Sequence, residues 1–368
     1  ASRIVVIRLA DGAVRTVSDS LSSNQGAAWS PDERWVYYVS AVDGPRDIYA
    51  IGIGADGAAR GRPHRLTTGL GAQTISFTPD GSRLAYSALS ASANIWRLAD
   101  HRPLTTGLQN IDLIHYSRDG RWILYASDIS GINELYRIPA DGGEAEQLTS
   151  GSTADNFAPD LSPDGKEVAF HSLRTGTRDI FVLPLDGGPV QQVTNTPAQE
   201  MVPRWSPDGR VLSFVNFSSQ GGIWTVTRRA DRSWGPPHEV STTGSFADWS
   251  PDGKTIVFGA SVFGTGGLSV IPAAGGPPRQ LLVTGGEIQT VEFPKFTADG
   301  RTIIFKSHDP AGRVTFWSVP VAGGSPRLVA RLDTEQSGGV PYWDQWQGRI
   351  AYVRFEAQSD IVVMETSR

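Results

Sequence analysis

Cysteine is absent from this 368-residue chain, which excludes disulfides, thiolate metal sites and a cysteine nucleophile. Charge of one dominant sign is absent too: 33 basic against 38 acidic residues leave a net charge of -5, with no run of Lys or Arg. A nucleic-acid backbone or an anionic membrane surface is therefore not an expected partner. Nothing approaches the ~18 consecutive apolar residues of a spanning helix, so no transmembrane segment is expected. Nor does any segment hold apolar residues at i, i+3 and i+4 through three turns, which argues against helices. His-Glu-x-x-His, a G-x-S-x-G elbow, a phosphate-cradling glycine loop and an EF-hand loop are all missing.

What the sequence does have is a phrase. Ser30-Pro31-Asp32-Glu33 returns as Thr78-Pro79-Asp80-Gly81, Ser117-Arg118-Asp119-Gly120, Ser162-Pro163-Asp164-Gly165, Ser206-Pro207-Asp208-Gly209, Ser250-Pro251-Asp252-Gly253 and Thr297-Ala298-Asp299-Gly300. A worn eighth copy is Asp344-Gln345-Trp346-Gln347-Gly348. The last residues of successive copies are 48, 39, 45, 44, 44, 47 and 48 positions apart, a stride of the length of a four-stranded propeller blade. Pro presets φ at the second position of a type I turn, and Asp and Gly accept the remaining angles, so the phrase is punctuation between strands.

Each copy has the same surroundings. A strand, called a, runs into the phrase and ends on an aromatic or apolar residue: Trp29, Phe77, Tyr116, Leu161, Trp205, Trp249, Phe296 and Trp343. Strand b leaves it, as in Trp35 to Val39 or Ile256 to Phe258, rich in β-branched and aromatic residues. A polar loop precedes strand c, as in Asp179-Ile180-Phe181-Val182, and a glycine turn such as Asp186-Gly187-Gly188 leads to strand d, as in Gln192-Val193-Thr194. One such sheet cannot bury both faces, whereas sheets packed face to face around an axis can. The sequence thus predicts an all-β, eight-bladed β-propeller of four-stranded antiparallel blades over residues 1–368, a single domain. Pairing of N-terminal and C-terminal strands is expected to close the ring, with Arg3 to Leu9 beside the segment Pro341 to Glu365.

The Trp-Ser-Pro-Asp-Gly-Lys pattern, followed by an apolar strand, a polar loop and Asp-Ile-aromatic-Val, resembles the WD40-like (PD40) repeat of the TolB propeller. The resemblance runs from Gly26 to Glu365. It implies a propeller of the kind found in the periplasmic TolB partner-binding domain, in propellers that gate prolyl-oligopeptidase-like and tricorn-like proteases, and in bacterial sensors. Nothing in residues 1–368 resembles the α/β domain that precedes the smaller TolB propeller, and a serine-peptidase domain is not expected in this sequence. The sequence starts at Ala1, so an upstream segment such as a signal peptide is expected, and with it a periplasmic or extracellular location.

Strand a is innermost in a propeller, so its polar positions line the axis. The residue before the terminal aromatic is Ala28, Ser76, His115, Asp160, Arg204, Asp248 and Lys295 in turn, with Tyr342 in the eighth copy. These charges either form inter-blade pairs that close the channel, Asp160 with Arg204 and Asp248 with Lys295, or they meet a ligand. At the end of strand b, His171 and Lys306 replace small or apolar residues. With Arg174, Arg178 and His308 in the following loops, and Glu200, Glu287 and Glu292 before strand a, they offer either solvated loop charge or a site for a mixed-charge ligand. Variable loops on a rigid scaffold are the usual place for recognition, so the site is expected where the d-a and b-c loops meet.

The leading expectation is a non-enzymatic propeller that binds a protein segment or a small polar ligand at that mouth, without cofactor. A second is a polysaccharide lyase or glycoside hydrolase working through His115, His171, Arg204, Lys295, His308 and Tyr342, which would neutralise a carboxylate and move a proton. A divalent metal held by His115, His171 and His308 belongs to that alternative. The third is the sensor part of a larger bacterial regulator.

Overall fold

A computed structural model describes residues 2–18, 24–42, 46–68, 71–217, 222–259, 266–332 and 341–365. The described secondary structure is all β, in repeated antiparallel sheets with no helix. The phrase turns form as the sequence predicts. In one copy Ser206 Oγ donates to Asp208 Oδ1 at 2.6 Å and accepts from the Val211 N–H at 2.9 Å, while Asp208 accepts from the Arg210 N–H at 3.1 Å. Gly209 then takes φ 70°, the left-handed region that suits glycine. The glycine has a second reason to be there: a Cβ on Gly209 would lie 3.5 Å from Pro163 of the preceding phrase, and one on Gly253 3.5 Å from Pro207. Successive phrases therefore pack proline against glycine. Where Glu33 replaces the glycine, it is held at φ 57°.

Strand c is anchored by a second recurrent device. The threonine ending strand d accepts from the second N–H of strand c and donates to the acidic or amide residue that starts it. Ile95 N–H reaches Thr105 Oγ1 at 2.9 Å and Thr105 reaches Asn94 at 3.1 Å, and Thr149 with Glu134 and Thr67 with Asp47 do the same. The Asp-Ile and Leu-Thr pairs of the repeat are thus the two halves of one clasp.

The molecule divides into two compact units, Ala1–Ala91 with Ala357–Arg368 and Ser92–Glu356, where the sequence predicted a single domain. The first holds a two-stranded sheet, Val5–Ile7 with Val14–Thr16, a four-stranded sheet from Asn24–Trp29 to Ala59–Arg65, and Ala72–Phe77 on the first half of Arg83–Arg97. Trp29, at the end of its strand a, is 45% exposed there.

The second unit holds six sheets, numbered I to VI by their inner strands: Ile111–Tyr116, Asn156–Leu161, Glu200–Trp205, Ser245–Trp249, Glu292–Phe296 and Trp343–Trp346. Each inner strand contacts the next, and VI contacts I, so the six form a closed ring. Apolar residues fill the seams, as where Ile180 and Val182 of sheet II meet Trp205, Leu212 and Phe214 of sheet III. Sheet VI is assembled from both ends of this unit, with Trp343–Trp346 and the first half of Arg349–Glu365 beside the second half of Arg83–Arg97 and Arg102–Pro103.

The ring that closes within the second unit has six sheets. The physical reason lies in two segments. Arg83–Arg97 and Arg349–Glu365 are continuous strands of 15 and 17 residues, where strand b, a loop and a new strand were predicted. Each serves one unit with its first half and the other with its second. A C-terminal strand does pair with one from nearer the N-terminus, but the partner is Arg83–Arg97; among the described residues Val5–Ile7 pairs only with Val14–Thr16.

Candidate functional site

Within the six-sheet ring every inner strand sends one polar side group to the axis, in the order His115, Asp160, Arg204, Asp248, Lys295 and Asp344, all buried. The five positions read from the sequence are brought together, and Asp344 takes the sixth in place of Tyr342. The eighth phrase misaligns by two residues because its turn is different: Gln347 and Gly348, at φ 48° and 81°, form a two-residue hairpin loop where the other copies use the longer phrase. The Gln-Gly pair between alternating residues was the signal for this register.

Arg204 bridges two neighbours, with Nη1 3.2 Å from Asp160 and Nη2 3.1 Å from Asp248. Lys295 lies 3.5 Å from Asp344 and not against Asp248 as predicted, and His115 Nδ1 lies 3.4 Å from Asp344. The second oxygen of each carboxylate accepts a backbone N–H from the next inner strand: Asp160 from Trp205 at 2.7 Å, Asp248 from Phe296 at 3.0 Å and Asp344 from Tyr116 at 2.8 Å. The two acids nevertheless behave in opposite ways, because their charged neighbours differ. Burial raises the Asp160 carboxyl despite Arg204, whereas burial of Asp344 is outweighed by Lys295, the His115 hydrogen bond and Arg204, which hold it well below the carboxylate range.

Two residues before each ring position, Leu113, Ala158, Val202, Phe246 and Phe293 have φ between 34° and 55° at a β-bulge. The bulge turns these apolar side groups into one cluster with Tyr342, where the Phe246 and Phe293 rings stand 4.1 Å apart and Phe293 meets Tyr342 edge-on at 5.6 Å. An apolar plug thus lies beside the charged ring. On the other side of the ring is a cavity of about 220 Å³, lined by Arg118, Asp160, Arg204, Asp248, Lys295 and Asp344 and walled by Tyr116, Trp249, Phe296 and Trp346. Ser117, Pro251 and Thr297 also line it, so it opens among the phrase turns, at the end opposite to the d-a and b-c loops where the sequence placed a site.

The remaining predicted residues do not join this cavity. Tyr342 bonds Asp112, whose carboxyl burial pushes up. His171 accepts the Val202 N–H at 3.4 Å and stacks on Phe157. Arg178 has its Nε buried with no partner among the described residues, and Glu200, fully buried, accepts from Thr196 at 2.7 Å. Arg174 bonds Asn156 at 2.8 Å and lies over Phe170 and Phe181. Glu292 takes Lys306 at 2.7 Å and His308 at 3.3 Å; against its burial, His308 and Lys306 pull its carboxyl down to about 2. The three histidines proposed for a metal thus face different partners, and the described residues contain no group of three or more acidic or imidazole side groups placed to hold one. Sequence reasoning missed Asp344, Arg118 and Trp346, which lie in or next to phrases read as punctuation.

Burial, with Arg204 and Lys295, lowers His115 to about 3, and burial, with Arg178, lowers His171 to about 3, from 6.5. Both folded values are depressed, so the unfolded state binds the extra protons and stability is lost as pH falls from about 6.5 toward 3. Each histidine contributes a slope of up to about 1.4 kcal/mol per pH unit in that window. Urea unfolding of His115→Gln and His171→Gln between about pH 5 and 6, above the ordinary carboxylate values of about 4 and below the imidazole value of about 6.5, should show the slope reduced by up to one proton each. An unchanged slope would mean the imidazoles already carry charge in the fold.

No family model matches the sequence. A stretch of 103 residues, 26% of the chain, is 30% identical to an uncharacterised protein of Agrobacterium fabrum and covers 35% of it, so the match spans about a third of that relative. Among solved structures, a protein assigned to TolB from Agrobacterium tumefaciens aligns over 73% of this chain and 99% of its own, at TM-score 0.57 and 22% identity. TolB from Acinetobacter baumannii aligns over 92% and 81%, at TM-score 0.51 and 13% identity. Oligogalacturonate lyase from Vibrio parahaemolyticus aligns over 88% and 98%, at TM-score 0.46 and 16% identity. The fold is that of a TolB-like β-propeller, an all-β architecture of repeated four-stranded antiparallel sheets.

Proposed function

We propose that the protein is a non-enzymatic binding propeller in which the six-sheet ring receives a protein segment or a small polar ligand at its phrase-turn mouth. The observation that carries this reading is the cavity itself: an open, aromatic-walled recess whose floor of charges is held rigid by bonds across the seams. A preformed concave site with a few fixed polar groups is the usual form of a binding pocket. The catalytic alternative requires His115, His171, Arg204, Lys295, His308 and Tyr342 to meet one substrate, yet only Arg204 and Lys295 line the recess. The d-a and b-c mouth has in its favour the buried Arg178 Nε, which has no partner among the described residues.

Peptides selected on the whole protein from a random library test the reading. Ala298 is exposed at the rim, so Ala298→Trp should fill the mouth and leave the melting temperature unchanged. Selected peptides should lose about tenfold or more in affinity on that variant, equivalent to about 1.4 kcal/mol. Peptides that ignore Ala298→Trp, or a library that yields none, would remove the phrase-turn mouth as the site.

A further inference from the structure

Resting on that reading, we infer that the group taken at the floor of the recess is a carboxylate. The argument is one of hydrogen-bond supply. The six charges lining the recess, Arg118, Arg204 and Lys295 against Asp160, Asp248 and Asp344, sum to zero, so net charge does not select a ligand. Their unused bonding capacity does. All six carboxylate oxygens are already engaged by the frame: Asp160 by Arg204 and the Trp205 N–H, Asp248 by Arg204 and the Phe296 N–H, and Asp344 by the Gln345 and Tyr116 N–H groups.

Lys295 is in the opposite position. Only 5% exposed, its ammonium has three protons and two contacts, to Asp344 and to His115, each 3.5 Å and therefore longer than a normal N–H···O bond. Arg118 at the rim spends one N–H on the Trp205 carbonyl at 2.7 Å and presents the rest of its fork. The recess thus offers under-used donors at two depths, while each of its carboxylate oxygens already accepts a bond from the frame. A buried ammonium with unmet protons is relieved most by a charged acceptor. A monoanion fits better than a dianion such as phosphate, because three carboxylates stand around the same floor. The aromatic walls leave room for an apolar stem behind the acid, as in a small organic acid, an acidic residue or the free C-terminus of a peptide.

The test uses the indole N–H signals of Trp249 and Trp346, which line the recess and are bonded to the Arg204 and Arg118 carbonyls. In 15N-labelled protein at constant ionic strength, sodium acetate should shift both signals and acetamide should not. Lys295→Met should abolish the acetate response. Should that variant not fold, Arg118→Gln, at an exposed position, should weaken it severalfold with the fold intact. Short peptides with a free C-terminal acid should outcompete acetate at least about tenfold if the natural source is a polypeptide, and only match it if the source is a small acid. Acetate and acetamide acting alike, or acetate acting on Lys295→Met as on the native protein, would overturn the assignment. Peptides that bind equally as acids and amides while losing affinity on Ala298→Trp would refute the carboxylate and leave the binding reading standing.

Discussion

Replacing Arg204 with leucine should cost the six-sheet unit about 3–5 kcal/mol at neutral pH, the range for removing one partner from a buried ionic group. The magnitude follows from what remains. Arg204 is 9% exposed and, among the described residues, is the sole cationic group within bonding distance of Asp160 and Asp248, so the variant leaves two interior carboxylates with backbone donors. Burial already raises Asp160 with the guanidinium in place, and without it the Asp160 carboxyl should be driven further upward. Its folded value then lies further above the unfolded one, so the variant gains stability relative to the native protein as pH falls through that folded value. Adding Asp160→Asn and Asp248→Asn should restore much of the loss at neutral pH. Urea titrations at two pH values measure this, and a loss below about 1 kcal/mol, typical of an exposed pair, would show that water reaches the ring.

Gly120→Val should destabilise the same unit by about 2–5 kcal/mol, combining a left-handed residue at about 1–2 kcal/mol with overpacking at about 1–3 kcal/mol. Gly120 has φ 68°, and a Cβ there would lie 2.2 Å from the Trp346 ring. That ring lies over the first phrase turn of the six-sheet unit and donates to the Arg118 carbonyl at 3.0 Å, so it latches sheet VI onto sheet I. Gly165→Val has nothing within 4 Å to strike and should show the backbone component alone. Equal losses at the two sites, read by thermal or urea unfolding, would show that the Trp346 contact carries no weight.

Much of this architecture is legible in the sequence because the repeat encodes local chemistry. Ser, Pro, Asp and Gly each have one job in the turn, so strand ends at Trp29, Phe77, Tyr116, Leu161, Trp205, Trp249 and Phe296 fall where predicted. Counting back from those ends locates His115, Asp160, Arg204, Asp248 and Lys295 on the axis. Asp344 escapes the count because a Gln-Gly hairpin removes residues from the turn and adds them to the strands. The number of sheets in the ring is hidden for a related reason. Strand pairing is non-local, and a strand of 15 residues that serves two sheets has the composition of two strands joined by a short loop. The end of the channel that stays open is hidden as well. Left-handed bulges at Leu113, Ala158, Val202, Phe246 and Phe293 decide which residues plug the axis, and apolar residues other than glycine give no advance notice of such a backbone.

The linkage around the axis has a beginning and an end. Side-group bonds run from Asp160 through Arg204 to Asp248, on to Phe296 of the strand that carries Lys295, and through Asp344 to His115, but among the described residues none joins His115 to Asp160. Arg118 instead vaults from sheet I over that seam to the Trp205 carbonyl of sheet III. At the axis that seam has no ion pair to lose; it is fastened farther out, where Asn156 of sheet II donates to Glu134 of sheet I at 3.0 Å, and Arg118 crosses above it as a strap.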